Sequence, residues 1–245
     1  LMKPADDTKA DIGAILNDLK WSVADLRMAG IRDWPMKRRQ PGDRIPIEVE
    51  SVLGRINSEQ ALVHISEDIG DCHRCRLDAG RTKIVLGVGS PQAKLVFVGE
   101  GPGFDEDQQG QPFVGKAGKL LDKMILALGF TREEVYIANV VKCRPPNNRT
   151  PLPDEIQTCS PFLFRQLEAI APQVICALGA CAAQTLLGAS HSISSLRGKK
   201  LAWRGIPLVC TFHPAYLLRN PSQKAATWQD LLVVYAILAG SQEDK

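Results

Sequence analysis

The sequence predicts a three-layer α/β/α fold. Helices cover both faces of a central, mainly parallel four-stranded sheet, and a helical arm precedes it at the N-terminus. Three observations carry this reading. Short apolar runs at 95–98, 135–141 and 174–178 have the length and β-branched content of buried strands. Helical periodicity follows each of them, near 116–128, 154–170 and 180–187. Strands alternating with helices pair in parallel, because the helix carries the chain back across the sheet. Third, the first run empties into Gly99-Glu100-Gly101-Pro102-Gly103-Phe104-Asp105-Glu106-Asp107. A glycine-rich acidic loop between strand and helix marks a ligand crevice at the carboxyl end of a parallel sheet.

Each element has its own justification. Residues 10–29 place Ile12, Ile15, Leu16, Leu19, Val23 and Leu26 on one face of a helix. Pro35, Pro41, Gly42 and Pro46 then break the pattern around Lys37-Arg38-Arg39, which predicts a linker. Residues 1–57 are therefore expected to form an arm and linker, and 58–245 the main domain. Ser58 is placed to cap a helix running to Ile69. Gly129 ends the helix that starts near Lys116, and Thr131 with Glu134 caps a short turn. Segments 200–203 and 206–211 predict a hairpin about Arg204-Gly205, and 222–238 a last helix.

A chain of 245 residues with 44% apolar content can bury one large core. The formal net charge of +3 permits a nucleic-acid partner without requiring one. No apolar run of about 18 residues suggests a membrane span, and the polar, mixed-charge N-terminus predicts no secretory leader. Seven cysteines are an odd set for a disulfide framework, so a cytosolic chain with metal-bound or buried thiols is expected.

Four cysteines stand out. Cys72 and Cys75 share a short polar loop, while Cys143 and Cys159 follow much later with fifteen residues between them. Two local pairs brought together would hold either a [4Fe–4S] cluster or a zinc ion, and spacing alone leaves both open. Cys176, Cys181 and Cys210 sit in apolar contexts and read as core.

Three further motifs carry chemistry. In Gly110-Gln111-Pro112-Phe113-Val114-Gly115, the ring of Phe113 offers a wall for a flat ligand. Asn139 ends the run Tyr136-Ile137-Ala138, which delivers an amide with one donor side and one acceptor side to the crevice. In His213-Pro214-Ala215-Tyr216-Leu217-Leu218-Arg219, the proline restricts the preceding histidine. A dinucleotide or triphosphate site is disfavoured, since the loop lacks the last glycine of the first pattern and the lysine of the second.

These motifs, in this order and with this cysteine set, resemble the iron–sulfur uracil-DNA glycosylases of family 4. The resemblance spans about residues 72–238 and leaves 1–57 outside. It implies excision of uracil from single- or double-stranded DNA by a monofunctional hydrolase, and a prokaryotic, nucleoid-associated setting in the cytoplasm. It also assigns a [4Fe–4S] cluster to Cys72, Cys75, Cys143 and Cys159. Such an enzyme flips its base out, grips face and edge, stabilises the anionic leaving group and delivers water. Phe113 would stack on uracil and Asn139 would read its edge. His213 would donate to O2, and Gly101 would contribute a backbone amide. Family 1 enzymes place a water-positioning aspartate where Gly101 stands. The resemblance therefore puts the water or the sugar cation on Glu106, with Glu100 shaping the pocket floor. Leu217 and Leu218, beside Arg219, would wedge into the gap left in the helix. A monomer on DNA is expected, with a protein partner possible for the arm. The competing expectation is an iron–sulfur DNA-binding or replication-accessory module without glycosylase activity.

Overall fold

The structure is a computed structural model and describes residues 49–240, with side chains from 57. The chain divides into two compact units, Leu1–Arg44 and Ile45–Lys245. The expected helix at 10–29 and the linker at 35–47 lie outside the described residues.

The second unit opens with α1 (Val49–Ile69), and a short 3-10 turn follows at Arg76–Gly80. Strand β1 (Val88–Gly89) leads to β2 (Leu95–Gly99), whose five residues are all buried. Two helices follow, α2 (Phe104–Gln109) and α3 (Lys116–Ala127), and then β3 (Tyr136–Asn139). Helix α4 (Pro153–Ile170) precedes β4 (Val174–Leu178), and α5 (Ala180–Leu187) with the single turn α6 (Ile193–Leu196) leads to a hairpin. Its strands are β5 (Leu201–Trp203) and β6 (Ile206–Thr211), followed by α7 (Pro214–Arg219) and α8 (Lys224–Gly240).

The sheet order is β1-β3-β2-β4-β6-β5. The four inner strands run parallel, and β1 and β5 add to the edges antiparallel. The expected four-stranded sheet is thus corrected to six strands. The parallel core was legible because its strands are apolar and continuous. Strand β1 was not, because two residues have no periodicity. Its Gly89 is required by contact, since a Cβ there would lie 1.9 Å from the Val135 carbonyl oxygen.

Two further expectations are revised. The first described helix begins at Val49, so Ser58 lies inside it and does not cap it, and the 57/58 boundary falls within that helix. The acidic stretch at 104–109 is a helix, not a loop. The remaining boundaries agree within a few residues, and the Thr131 amide donates to Glu134 Oε2 at 2.8 Å as the turn requires.

The topology fixes where a ligand sits. From β2 the chain moves to β3 on one side, then crosses to β4 on the other. That reversal opens a crevice at the carboxyl ends of the strands. Beneath it, Val96, Val98, Ala138, Ile175 and Ala177 belong to one buried cluster with Leu163 and Leu167 of α4. No described helix is long and apolar enough to cross a membrane.

Candidate functional site

The crevice is a cleft of ≈ 470 Å³, lined by Glu100, Gly101, Glu106, Phe113, Asn139 and His213. These six residues come from four separate stretches of chain, and all were expected at the site. Pro145, Asn148, Arg149, Thr150, Tyr216 and Arg219 also line it. Neither proline–asparagine segment 145–148 nor Thr150 carried a sequence signal.

Asn139 is 1% exposed, and no protein group among the described residues donates to its Oδ1. A buried acceptor without a donor is costly and points to a ligand that supplies one. Phe113 stands beside it. A Cβ on Gly99 would lie 2.4 Å from Asn139 Oδ1 and 2.6 Å from Phe113 Cζ. Glycine is therefore needed at the end of β2 so that amide and ring can close over it. Gly99 thus makes room for side chains. Phe113 itself has φ = +52°, the left-handed region that side chains avoid. A Cβ on Gly118 would lie 1.9 Å from the Phe113 carbonyl oxygen, so α3 presses directly on this strained residue.

The ring of His213 lies 5.5 Å from that of Phe113, centroid to centroid, tilted by 30°. The Ala215 amide donates to its Nδ1 at 3.1 Å. An accepting Nδ1 leaves the proton of a neutral ring on Nε2. Burial pushes the imidazole down to about 4, and the nearby Arg219 charge adds to this. At neutral pH the site thus holds an uncharged ring with an Nε2–H to donate. His213 reaches the cleft from β6 across the end of β4. Gly179 sits at that end, and a Cβ there would be 3.1 Å from the histidine's own.

The two carboxylates differ. Glu106 Oε1 accepts from the amides of Val114 at 2.9 Å and Gly115 at 3.0 Å, at the start of α3. It therefore anchors the segment that carries Phe113, in keeping with the preference of helix N-termini for anions. Its other oxygen faces Gly103, where a Cβ would be 2.7 Å away. Burial raises the Glu100 carboxyl above its ordinary value, opposed by a hydrogen bond from Thr150.

The three wedge candidates separate. Leu217 is 1% exposed and belongs to the core, so its expected wedge role is corrected: it faces inward on the short helix α7. Leu218 is 46% exposed, and Arg219 lines the cleft.

A second pocket gathers Cys72, Cys75, Cys143 and Cys159, with Arg81 and Lys142 in its wall. All four are free thiols. The Lys142 amide donates to Cys159 Sγ at 3.3 Å, and Arg81 Nη1 to Cys143 Sγ at 3.7 Å. Burial pushes Cys143 up to about 12 and raises Cys75 and Cys159 as well. A bound metal centre would displace those protons. Among the described residues no three His, Cys, Asp or Glu side chains close tightly enough to hold a single metal ion. The other cysteines, Cys176, Cys181 and Cys210, are buried in the core as expected.

Comparison with known proteins adds an independent line. The family model described as the uracil DNA glycosylase superfamily matches residues 86–232. A type-4 uracil-DNA glycosylase of Thermotoga maritima is 49% identical over 168 residues, which cover 68% of this chain and 88% of that one. A protein of the same description from Archaeoglobus fulgidus is 46% identical, over 66% of this chain and 85% of its own. A type-5 uracil-DNA glycosylase of Pyrobaculum aerophilum is 30% identical, over 54% and 66%.

Proposed function

The chain belongs to the uracil-DNA glycosylase superfamily, and from that membership we infer that it is a DNA-repair hydrolase that excises uracil from DNA. The single observation that carries the reading to its residues is the buried Asn139 Oδ1 without a donor. Uracil N3–H supplies that donor, and the amide's nitrogen donates back to O4. Cytosine has no proton on N3 and presents an amine in place of O4, so both contacts turn repulsive. Matched hydrogen bonding of this kind discriminates by about 10⁴-fold or more.

The remaining roles follow the lining of the cleft. Phe113 stacks on the base, and the amide of Gly101 lies at the pocket floor with Glu100. As the N-glycosidic bond lengthens, negative charge collects on uracil O2. The neutral His213 donates its Nε2–H there, a contribution of about 3 kcal/mol for one such donor. The outer oxygen of Glu106 faces the cleft and positions water or steadies the cationic sugar. Leu218 fills the space left by the extruded base, while Arg219 and Arg149 face the backbone phosphates.

The cysteine pocket fits a [4Fe–4S] cluster held by Cys72, Cys75, Cys143 and Cys159. Its four thiols line one pocket, the donor set that a four-thiolate centre requires. When bound, the cluster supplies a rigid cross-link between loops and takes no part in base removal.

The test is direct. Purified protein is incubated with a uracil-bearing oligonucleotide and then alkali. Cleavage at uracil is expected, with Asn139→Ala and His213→Ala each slower by about 100-fold or more while still binding DNA. Wild-type cleavage no greater than that of a heat-killed control would overturn the assignment.

A further inference from the structure

Among the described residues Lys142 is the one buried lysine, 2% exposed, and the mechanism above does not use it. Its Nζ donates to the Asn139 carbonyl oxygen at 2.9 Å and to Gln166 Oε1 at 2.6 Å. Gln166 is itself fully buried, and its amide donates to the Leu86 carbonyl oxygen at 3.0 Å and to the Tyr136 hydroxyl at 3.2 Å. Both partners of the ammonium are neutral. Among the described residues, no carboxylate forms an ion pair with it. An ammonium buried among neutral groups is expensive unless an anion lies close. The acidic groups beside it are the thiols. Lys142 lines the cysteine pocket, and its own amide donates to Cys159 Sγ.

We propose that Lys142 is the counter-cation of the four-cysteine centre, and the positioning residue that ties this centre to the base-reading amide of Asn139. Four thiolates around an iron–sulfur core leave a net negative charge. That charge stabilises the ammonium. The ammonium in turn holds the carbonyl of Asn139 and, through it, the strand end from which the amide projects. One side chain thereby links two sites that are otherwise separate pockets. The proposal rests on the glycosylase reading and on the cluster, and its test distinguishes all three.

Two variants divide the roles. Lys142→Met keeps the length and removes both charge and donor. Lys142→Gln removes the charge and keeps a donor for the Asn139 carbonyl. Iron and sulfide content, loss of the visible absorbance under chelator, DNA affinity and single-turnover excision are measured on the full chain. Both variants are expected to lose the cluster about tenfold faster than wild type or more, the usual range for removal of an outer-shell partner. Excision is expected to fall further in Lys142→Met than in Lys142→Gln, with DNA affinity within about twofold of wild type in both. Cluster retention at the wild-type rate in either variant overturns the counter-cation role. Equal excision by both variants and wild type overturns the positioning role. Should the variants not fold, the wild-type chain stripped of iron by chelator answers instead: unchanged excision overturns the coupling. Wild type purified with neither iron nor sulfide would sink the cluster reading, and wild type with iron but no excision would sink the glycosylase reading.

Discussion

On the proposed function, Glu106 serves structure and chemistry together. One oxygen accepts from the amides of Val114 and Gly115, and the residue lines the cleft. The two functions can be separated by substitution. Glu106→Gln keeps an accepting oxygen but no charge. It is expected to retain the wild-type melting temperature while excision falls by about 100-fold. Glu106→Ala is expected to lose the anchor as well, with a further stability cost of about 2 kcal/mol; thermal melts beside single-turnover rates check both. His213 makes a prediction in pH. Its folded pKa, about 4, lies below the ordinary value of 6.5. The unfolded chain therefore takes up the proton first. Stability from this group is full above pH 6.5 and falls as pH drops toward 4, by on the order of 3 kcal/mol in all. Denaturant melts of wild type and His213→Asn between pH 7.5 and 4 are expected to converge at the acid end.

At the level of elements, α3 is the brace of the recognition wall. It starts where Glu106 binds and lies hard against Phe113 through Gly118. Alanine within a helix ordinarily stabilises by about 1 kcal/mol relative to glycine. Here the added methyl meets the Phe113 carbonyl, so Gly118→Ala is expected to destabilise by about 1–3 kcal/mol and to displace the ring. Calorimetry gives the sign, and an increase in stability would disprove the brace. The helices and the inner strands were legible because their periodicities are strong, and so were Phe113, Asn139 and His213, whose side chains have evident chemistry beside strand ends. The work done by Gly99, Gly118 and Gly179 was not legible. Each is defined by a neighbour distant in sequence, and a missing side chain leaves no chemical signal. Leu217 and Leu218 were indistinguishable for a related reason: adjacent residues on a helix point about 100° apart, and only the packing decides which is buried. Lys142 carried no signal in the sequence, because nothing local says that a lysine is enclosed.

At the scale of the molecule, the cleft and the cysteine pocket both draw on the segment 139–143. Asn139 closes one and Cys143 lines the other. The cysteines themselves join the loop after α1, the segment after β3 and helix α4. If the proposed cluster bridges these three stretches, removing it is expected to cost about 3 kcal/mol, roughly 10 °C in melting temperature for a chain of this size. A melt of chelator-treated protein against untreated protein measures it, and coincident curves would show that the bridge holds nothing.

The lone oxygen of Asn139 bears on turnover as well as on selectivity. With no donor to it among the described residues, the free protein is expected to be less stable than the protein around its released base. Liberated uracil is therefore expected to act as an inhibitor as it accumulates, and to shift the melt upward. Cytosine at the same concentration is expected to do neither.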